Sequence, residues 1–278
     1  MKKFRNDIRY AEIPNGEIMD DPTNMFIIGT GPIILVDPGS TFGLDTVTQI
    51  LDNLGNPTVA SILLTHVHVD HAESTNEIRR ITGAPVRFHQ LELPELGKSA
   101  HNITLDEPIA SGEIIEHGEF RFEAMLTPGH SAGHLAFIEQ NQGFGLVGDL
   151  VTGWGSSAVF PPWGNLADYI ASMEAVADRG VNPLLPSHGE PVTNGPDALR
   201  HFARRRLERE AQILELLKTE SLTVEQIRDR VYSNLPQDLL DDVSGNVILH
   251  LEKLEGESRL KRIEVDGTTY FTIEDRTR

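Results

Sequence analysis

Short apolar runs of strand type alternate along the chain with stretches whose apolar residues recur at helical spacing. Residues 25–28 and 33–36 are β-rich and flank Gly29-Thr30-Gly31-Pro32, which predicts a hairpin. Residues 44–54 carry helical periodicity, 59–64 form a buried-strand run, and 73–81 return to helical spacing. Strand-type segments resume between 121 and 149. A helix is then expected over 166–177, followed by a short strand ending at Ser187-His188-Gly189. The alternation predicts an α/β fold. It also repeats one motif: a strand, then a residue of metal-ligand type at its end.

From Pro196 the pattern changes. A charged helix is expected over 197–217, further helical segments over 223–227 and 243–254, and two strands, 263–265 and 270–273, around an Asp266-Gly267 turn. Helix, helix, helix and hairpin predict a small winged-helix module. The expected organisation is a catalytic domain over residues 1–205 and a winged-helix-like domain over 206–278.

Composition sets limits on this picture. At 278 residues and 39% hydrophobic content the chain can bury a substantial core. Its polar opening, Met1-Lys2-Lys3-Phe4-Arg5-Asn6-Asp7, leads to no apolar signal region, and no segment offers about 18 uncharged apolar residues, so a cytoplasmic protein without a membrane partner is expected. Cysteine is absent, which removes disulfides, thiolate ligands and a cysteine nucleophile. A formal net charge of −18 opposes non-specific binding to nucleic acid or anionic membranes.

The densest chemistry lies in Thr65-His66-Val67-His68-Val69-Asp70-His71. His66 and His68 alternate along an extended segment and so point the same way. Asp70 and His71, at the turn into the next helix, face a neighbouring point. Four such ligands crowd one metal but suit two. Imidazoles and carboxylates fit Zn²⁺, Mn²⁺ or Fe²⁺, and two divalent ions per chain, zinc before manganese or iron, are the expected cofactors. The scattered His89, His101, His117, His201 and His250 are read as packed or solvated side chains.

This stretch resembles the signature of the metallo-β-lactamase superfamily, whose fold is an αββα sandwich with the metals at one edge. The other stations of that family are matched by Asp37 in Leu35-Val36-Asp37-Pro38-Gly39, His130 in Thr127-Pro128-Gly129-His130, Asp149 in Gly148-Asp149 and His188 in Ser187-His188-Gly189. The resemblance implies that His66, His68 and His130 hold one metal, that Asp70, His71 and His188 hold the other, and that Asp149 bridges them. Asp37 is then expected behind the ligands. His134 is expected behind them too, or facing substrate, or simply packed in its loop.

Departures narrow the class. Lactamases with a cysteine ligand are excluded by composition, and the diiron flavoproteins of this fold carry glutamate where this chain has His68. A bridging Asp149 is similar to glyoxalase II, thioesterase and phosphodiesterase members. Three further stretches, 21–26, 160–173 and 205–214, resemble a lactamase-beta-2-like branch in which the sandwich precedes a winged helix. That branch includes endoribonucleases of single strands and hydrolases of acyl thioesters.

The implied mechanism is hydrolysis by a hydroxide shared between two metals, with Asp70 as catalytic base. A small acyl thioester or ester is the expected substrate, with single-stranded RNA or another phosphodiester as the alternative. Trp154, Phe160 and Trp163 are candidate substrate contacts. Lys98 and Arg87 offer isolated positive charge, and the arginines between 200 and 209 are read as a solvated helix with Glu208 and Glu210 as partners. A homodimer is a possible assembly. The rival of another class is a winged-helix DNA-binding regulator with a vestigial hydrolase domain. Residues 219–278 oppose duplex DNA binding, since they carry 8 Lys and Arg against 13 Asp and Glu.

Overall fold

The computed structural model describes the chain apart from Asn6, Ile18, 98–101, 235–239 and 274–278, so Lys98 and His101 lie outside the described residues. The first sheet runs in chain order through β1 (Lys2–Arg5), β2 (Ile8–Ile13), β3 (Thr23–Ile28), β4 (Ile33–Val36), β5 (Val59–Leu63) and β6 (Val86–Arg87). Strands β3 and β4 form the expected antiparallel hairpin, and β5 joins β4 in parallel. The second sheet has the order β11-β10-β9-β8-β7, built from β7 (Ile114–His117), β8 (Phe120–Leu126), β9 (Leu135–Glu139), β10 (Gly145–Gly148) and β11 (Leu184–Pro186).

Helices cover the outer faces. Alternation along β3 shows why both faces of the first sheet are dry: Met25 and Ile27 join the core containing Val47 and Leu51 of α1 (Leu44–Asn53). Phe26 and Ile28 turn the other way, against Phe122 and Phe137 of the second sheet. The helix expected over 73–81 is instead a single turn, α2 (Val69–Ala72), followed by α3 (Thr75–Thr82), which ends at Gly83 in the left-handed region. Glu73 and Ser74 separate the two, and Ser74 N–H donates to Gly39 O. A short α4 (Leu93–Leu96) follows β6. On the far side, α5 (Leu166–Asp178), capped by Asn165, and α6 (Gly195–Thr219) close over the second sheet. The result is an αββα sandwich.

The expected boundary at 205 and 206 falls inside α6, which runs unbroken into the C-terminal part. There α7 (Val224–Val231), α8 (Leu240–Gly256) and an antiparallel ribbon, β12 (Lys261–Val265) with β13 (Thr268–Thr272), surround their own core of Ile213, Leu217, Ile227, Val247, Leu251, Leu254 and Phe271. Helix α8 faces two ways, since Leu249 packs into the core beneath α5 and α6. Among the described residues no helix is long and apolar enough to cross a membrane.

Glu210 does not serve the arginines of its own helix: it is buried and takes Lys253 and Arg259, each at 2.6 Å. Nearby His250 is 1% exposed, with neither ring nitrogen hydrogen-bonded. Burial, helped by the charges of Arg206, Arg209 and Lys253, pushes its pKa down to about 3. Both folded and unfolded chains are therefore neutral at this residue above its ordinary value of 6.5. As pH falls below that, only the unfolded chain takes up the proton, and stability drops by about 1.4 kcal/mol per pH unit until the folded value is reached. Replacing His250 by Leu removes this slope. Denaturant unfolding at pH 7 and pH 5 should show the variant gaining about 2 kcal/mol on the parent between the two conditions; parallel losses would show that His250 does not set the acid sensitivity.

Candidate metal centre

Strand ends gather the ligand-type residues at one edge of the sandwich. His66 and His68 follow β5, Asp149 follows β10, His188 follows β11, and His130 stands in the loop between β8 and β9. Asp70 and His71 lie in the single turn of α2. All seven residues expected to bind metal come together here.

They form two neighbouring groups. His66 Nε2, His68 Nδ1 and His130 Nε2 lie 2.9, 2.9 and 3.2 Å from one another. Metal–nitrogen distances of about 2.0–2.1 Å in a tetrahedron place ligand atoms about 3.3 Å apart, so this triangle suits one ion. In the second group, Asp70 Oδ2 is 3.4 Å from His71 Nε2 and 3.2 Å from His188 Nε2. Asp149 stands between: Oδ2 is 3.5 Å from His130 Nε2, while Oδ1 is 3.6 Å from both His71 Nε2 and His188 Nε2. One carboxylate oxygen thus faces each group.

Each imidazole has its second nitrogen fixed from behind. His71 Nδ1 donates to Asp37 Oδ2 (3.1 Å), His130 Nδ1 to Ala158 O (2.8 Å) and His188 Nδ1 to Pro22 O (3.0 Å). His66 Nδ1 meets Thr65 Oγ1 at 3.0 Å, and that hydroxyl passes its own proton to Asp37 Oδ2 at 2.7 Å. His68 is turned the opposite way, with Nε2 on Glu95 Oε1 at 3.0 Å and Nδ1 facing inward. Acceptors at the back leave lone pairs at the front.

The front atoms lack protein partners that satisfy them. His71 Nε2, His188 Nε2 and Asp149 Oδ1 are buried without a hydrogen bond, an arrangement that costs free energy unless a cation collects them. Burial drives His66 and His130 well below the ordinary histidine range, which keeps them neutral and able to ligate. Burial also pushes the Asp149 carboxyl upward against the pull of His71 and His188, whereas at Asp70 those two histidines outweigh burial and hold the carboxyl well below its usual range. These observations fit a divalent metal site.

Asp37 occupies the expected position behind the cluster. Its carboxylate accepts from Thr65 N and Oγ1, His71 and Ser187 Oγ, tying β4, β5 and β11 together. His134 is fully buried: Nε2 accepts from Asp149 N at 3.0 Å and Nδ1 contacts Thr127 Oγ1 at 2.8 Å. It faces the Asp149 backbone and not solvent. Gly148, at φ +52°, permits this, because a Cβ there would come within 2.5 Å of His134 Nε2.

Two residues that the sequence reading passed over hold the loops. Buried Glu92 accepts from Val67 N (3.0 Å), Ser131 Oγ (2.8 Å) and Gly133 N (2.6 Å), joining the His66–His68 loop to the His130 loop. Glu95, one helical turn on, takes His68. Their only signal was a pair of carboxylates three apart within the apolar stretch Gln90-Leu91-Glu92-Leu93-Pro94-Glu95. The scattered histidines lie elsewhere: His89 caps a turn through Leu91 N, His117 contacts Pro32 O, and His201 is exposed.

The groups open into a cavity of about 290 Å³ whose wall includes Met19, His68, Asp70, His130, Asp149, Trp154, Ala158, Phe160 and His188. Trp154 and Phe160 are 62% and 53% exposed at its rim. Trp163 is not among the lining residues.

An αββα sandwich carrying a histidine and aspartate cluster on its strand ends belongs to the class of metal-dependent hydrolases. The chain is a member of the metallo-beta-lactamase superfamily, whose sequence profile matches residues 18–220. It is 27% identical over 257 residues to the beta-lactamase-like protein 2 homolog of Drosophila melanogaster, covering 86% of this chain and 84% of that protein. It is 29% identical over 232 residues to an atrochrysone carboxyl ACP thioesterase of Claviceps purpurea (strain 20.1), covering 78% and 69% respectively. The fold is similar to that of a metallo-beta-lactamase family protein from Thermus thermophilus, with TM-score 0.81, 22% identity and coverage of 98% of this chain and 100% of that one.

Glu92 gives the test of this architecture. Glu92→Ala removes the shared acceptor of Ser131 Oγ and Gly133 N and leaves the buried Gly133 N–H without its partner, at a cost of about 1–3 kcal/mol of stability. Metal affinity should fall by about tenfold or more as the two loops part. Chelator competition and denaturant unfolding measure both; parental values would mean that the loops hold their geometry without this carboxylate.

Proposed function

We propose that the chain is a dinuclear metal hydrolase acting on a small acyl substrate, a thioester before an ester. The observation that carries this reading is Asp149, with one carboxylate oxygen toward each of the two donor groups. His66, His68 and His130 would hold one ion, Asp70, His71 and His188 the other, with Asp149 shared; zinc suits the donors, and manganese or iron fits them also. When bound, such ions supply Lewis acidity and lower the pKa of water to about 7. Asp70 would take a proton from the attacking water and return it to the leaving group, a role supported by its place in the cavity wall. His134 and Asp37 keep Asp149 and His71 from turning. Trp154, Phe160 and Met19 offer an apolar wall to the acyl chain.

Two features favour acyl over phosphodiester chemistry. Among the described residues the cavity wall contains no lysine or arginine, which grip phosphates, and the whole chain carries −18. Relatives bearing thioesterase names point the same way. The C-terminal helices and ribbon are read as a winged-helix module turned to packing. Lys253 supports this, since it is committed to Glu210 and Glu257 and not offered to a phosphate backbone.

A turnover panel of a thioester, a lactone, a β-lactam, a bis-phosphodiester and single-stranded RNA tests the substrate class on metal-reconstituted protein. Preference for the thioester is expected, and cleavage of RNA alone would replace the reading with a nuclease. Elemental analysis should find close to two metal ions per chain; an active sample with one would end the dinuclear assignment. Asp149→Ala should lose one ion and about 10²-fold or more in rate, whereas His117→Ala, at the far edge of the second sheet, should match the parent. Parental rate and metal content in Asp149→Ala would exclude its bridging role.

A further inference from the structure

The arginines of α6 depart from the expected solvated row at Arg209, whose Nη1 donates to Val231 O at 2.7 Å, and at Arg206. Arg206 is half-buried and reaches out of its helix with both ends of its fork. Nη1 donates to Asn246 Oδ1 on α8 at 3.2 Å, and Nη2 donates to Ser157 O at 2.9 Å and to Ser156 Oγ at 3.3 Å. The guanidinium lies 5.9 Å from the centre of the Tyr169 ring, whose hydroxyl donates to Leu150 O at 2.8 Å.

Ser157 and Ala158 both line the cavity. Ala158 O, one peptide beyond the carbonyl held by Arg206, is the acceptor that fixes His130 Nδ1. Phe160, at the rim of the same loop, lies against α8: a Cβ on Gly245 would meet its Cδ1 at 3.4 Å. Residues 156–160 belong to no helix or strand. Buried Val159 anchors them in the core, the Tyr169 hydroxyl stands 3.4 Å from Ser157 O, and Arg206 adds a planar fork whose donors hold several acceptors in one fixed plane, a geometry that an ammonium on a flexible stem does not impose.

We propose that Arg206 is a positioning residue through which α6 and α8 set the wall of the substrate cavity. It fixes the Ser157 carbonyl, and with it the loop that presents Phe160 to substrate and Ala158 O to His130. The inference rests on reading the 290 Å³ cavity as the substrate site. Loosening that wall weakens ground-state and transition-state binding alike, so KM rises more than kcat falls.

The test uses Arg206→Met, which keeps a long side chain near Tyr169 and removes every donor. Both tryptophans of the chain, Trp154 and Trp163, flank this loop, so fluorescence excited selectively at tryptophan, and not at the tyrosines, reports on it. In the metal-loaded full chain, quenching by acrylamide should rise about twofold as the loop opens. KM for an aromatic acyl thioester of N-acetylcysteamine should rise about tenfold, with kcat within about threefold of the parent. Asn246→Ala, which cuts only the tether to α8, should shift both readings in the same direction by less, and it decides the matter if Arg206→Met fails to fold. Lower thermal stability with parental quenching and parental KM would overturn the proposal, because it is the signature of a purely structural arginine. If the parent does not turn over the thioester, the acyl reading fails, and the quenching comparison still decides the role of Arg206.

Discussion

An imidazole has two ring nitrogens, and a fixed acceptor for the N–H of one sets the tautomer and the direction in which the other presents its lone pair to a metal. That constraint runs through the whole edge of this sandwich. The acceptors come from widely separated places: Thr65 and Asp37 behind the first sheet, Glu95 on a one-turn helix, the carbonyl of Pro22 before β3 and that of Ala158 in the loop after β10. No single element carries both a ligand and all its support. The inward-facing His71 Nε2, His188 Nε2 and Asp149 Oδ1 remain without hydrogen bonds, each a cost of about 1–3 kcal/mol if nothing binds them. A cation taking all three lone pairs therefore stabilises the fold as well as completing the site.

Two buried carboxylates make that support rigid. Asp37 collects donors from the ends of β5 and β11 and from α2, and its left-handed backbone, at φ 52°, turns the chain sharply at the end of β4 so that the side chain points back across the sheet ends. Glu92 performs the corresponding task between the two loops that carry His66, His68 and His130. Among the described residues neither carboxylate meets an arginine or lysine in its hydrogen bonds. Both are satisfied by N–H and O–H donors, which are directional in a way that an ion pair is not, and direction is what the ligands require.

The strand-end ligands were legible in the sequence because their geometry is local. His66 and His68 two apart on an extended segment must share a face, and the apolar runs before Asp37, Asp149 and His188 announce strands that end there. Glu92, Glu95 and Arg206 were not legible for the opposite reason. Their partners lie 25 to 50 residues away in sequence, and each sits among charged or apolar neighbours that suggest an ordinary helix surface. Glu210 illustrates the same limit: spacing offered it to the arginines of its own helix, but folding buries it beneath Lys253 and Arg259. The break between α2 and α3 was hidden as well, since it depends on Gly39 accepting from Ser74 across the edge of the sheet. Trp163 sits next in sequence to the rim aromatics, yet adjacency along an irregular loop does not imply a shared direction.

Ligands on strand ends and cavity wall on a loop divide the labour in a way that bears on how such a protein can change. The ligand geometry is determined by two sheets packed over a continuous apolar layer, in which displacing one strand misplaces several donors at once. The wall formed by residues 152–160 belongs to neither sheet: Val159 anchors it in the core beneath α5 and α6, and the rest takes its position from contacts with α5, α6 and α8. Substitutions in the C-terminal helices can therefore alter the shape offered to substrate while every metal ligand and its acceptor stays in place, with His130 the exception through Ala158 O. On the reading proposed for this chain, selectivity among acyl groups is adjustable from outside the site, and the chemistry is reached from there only through His130.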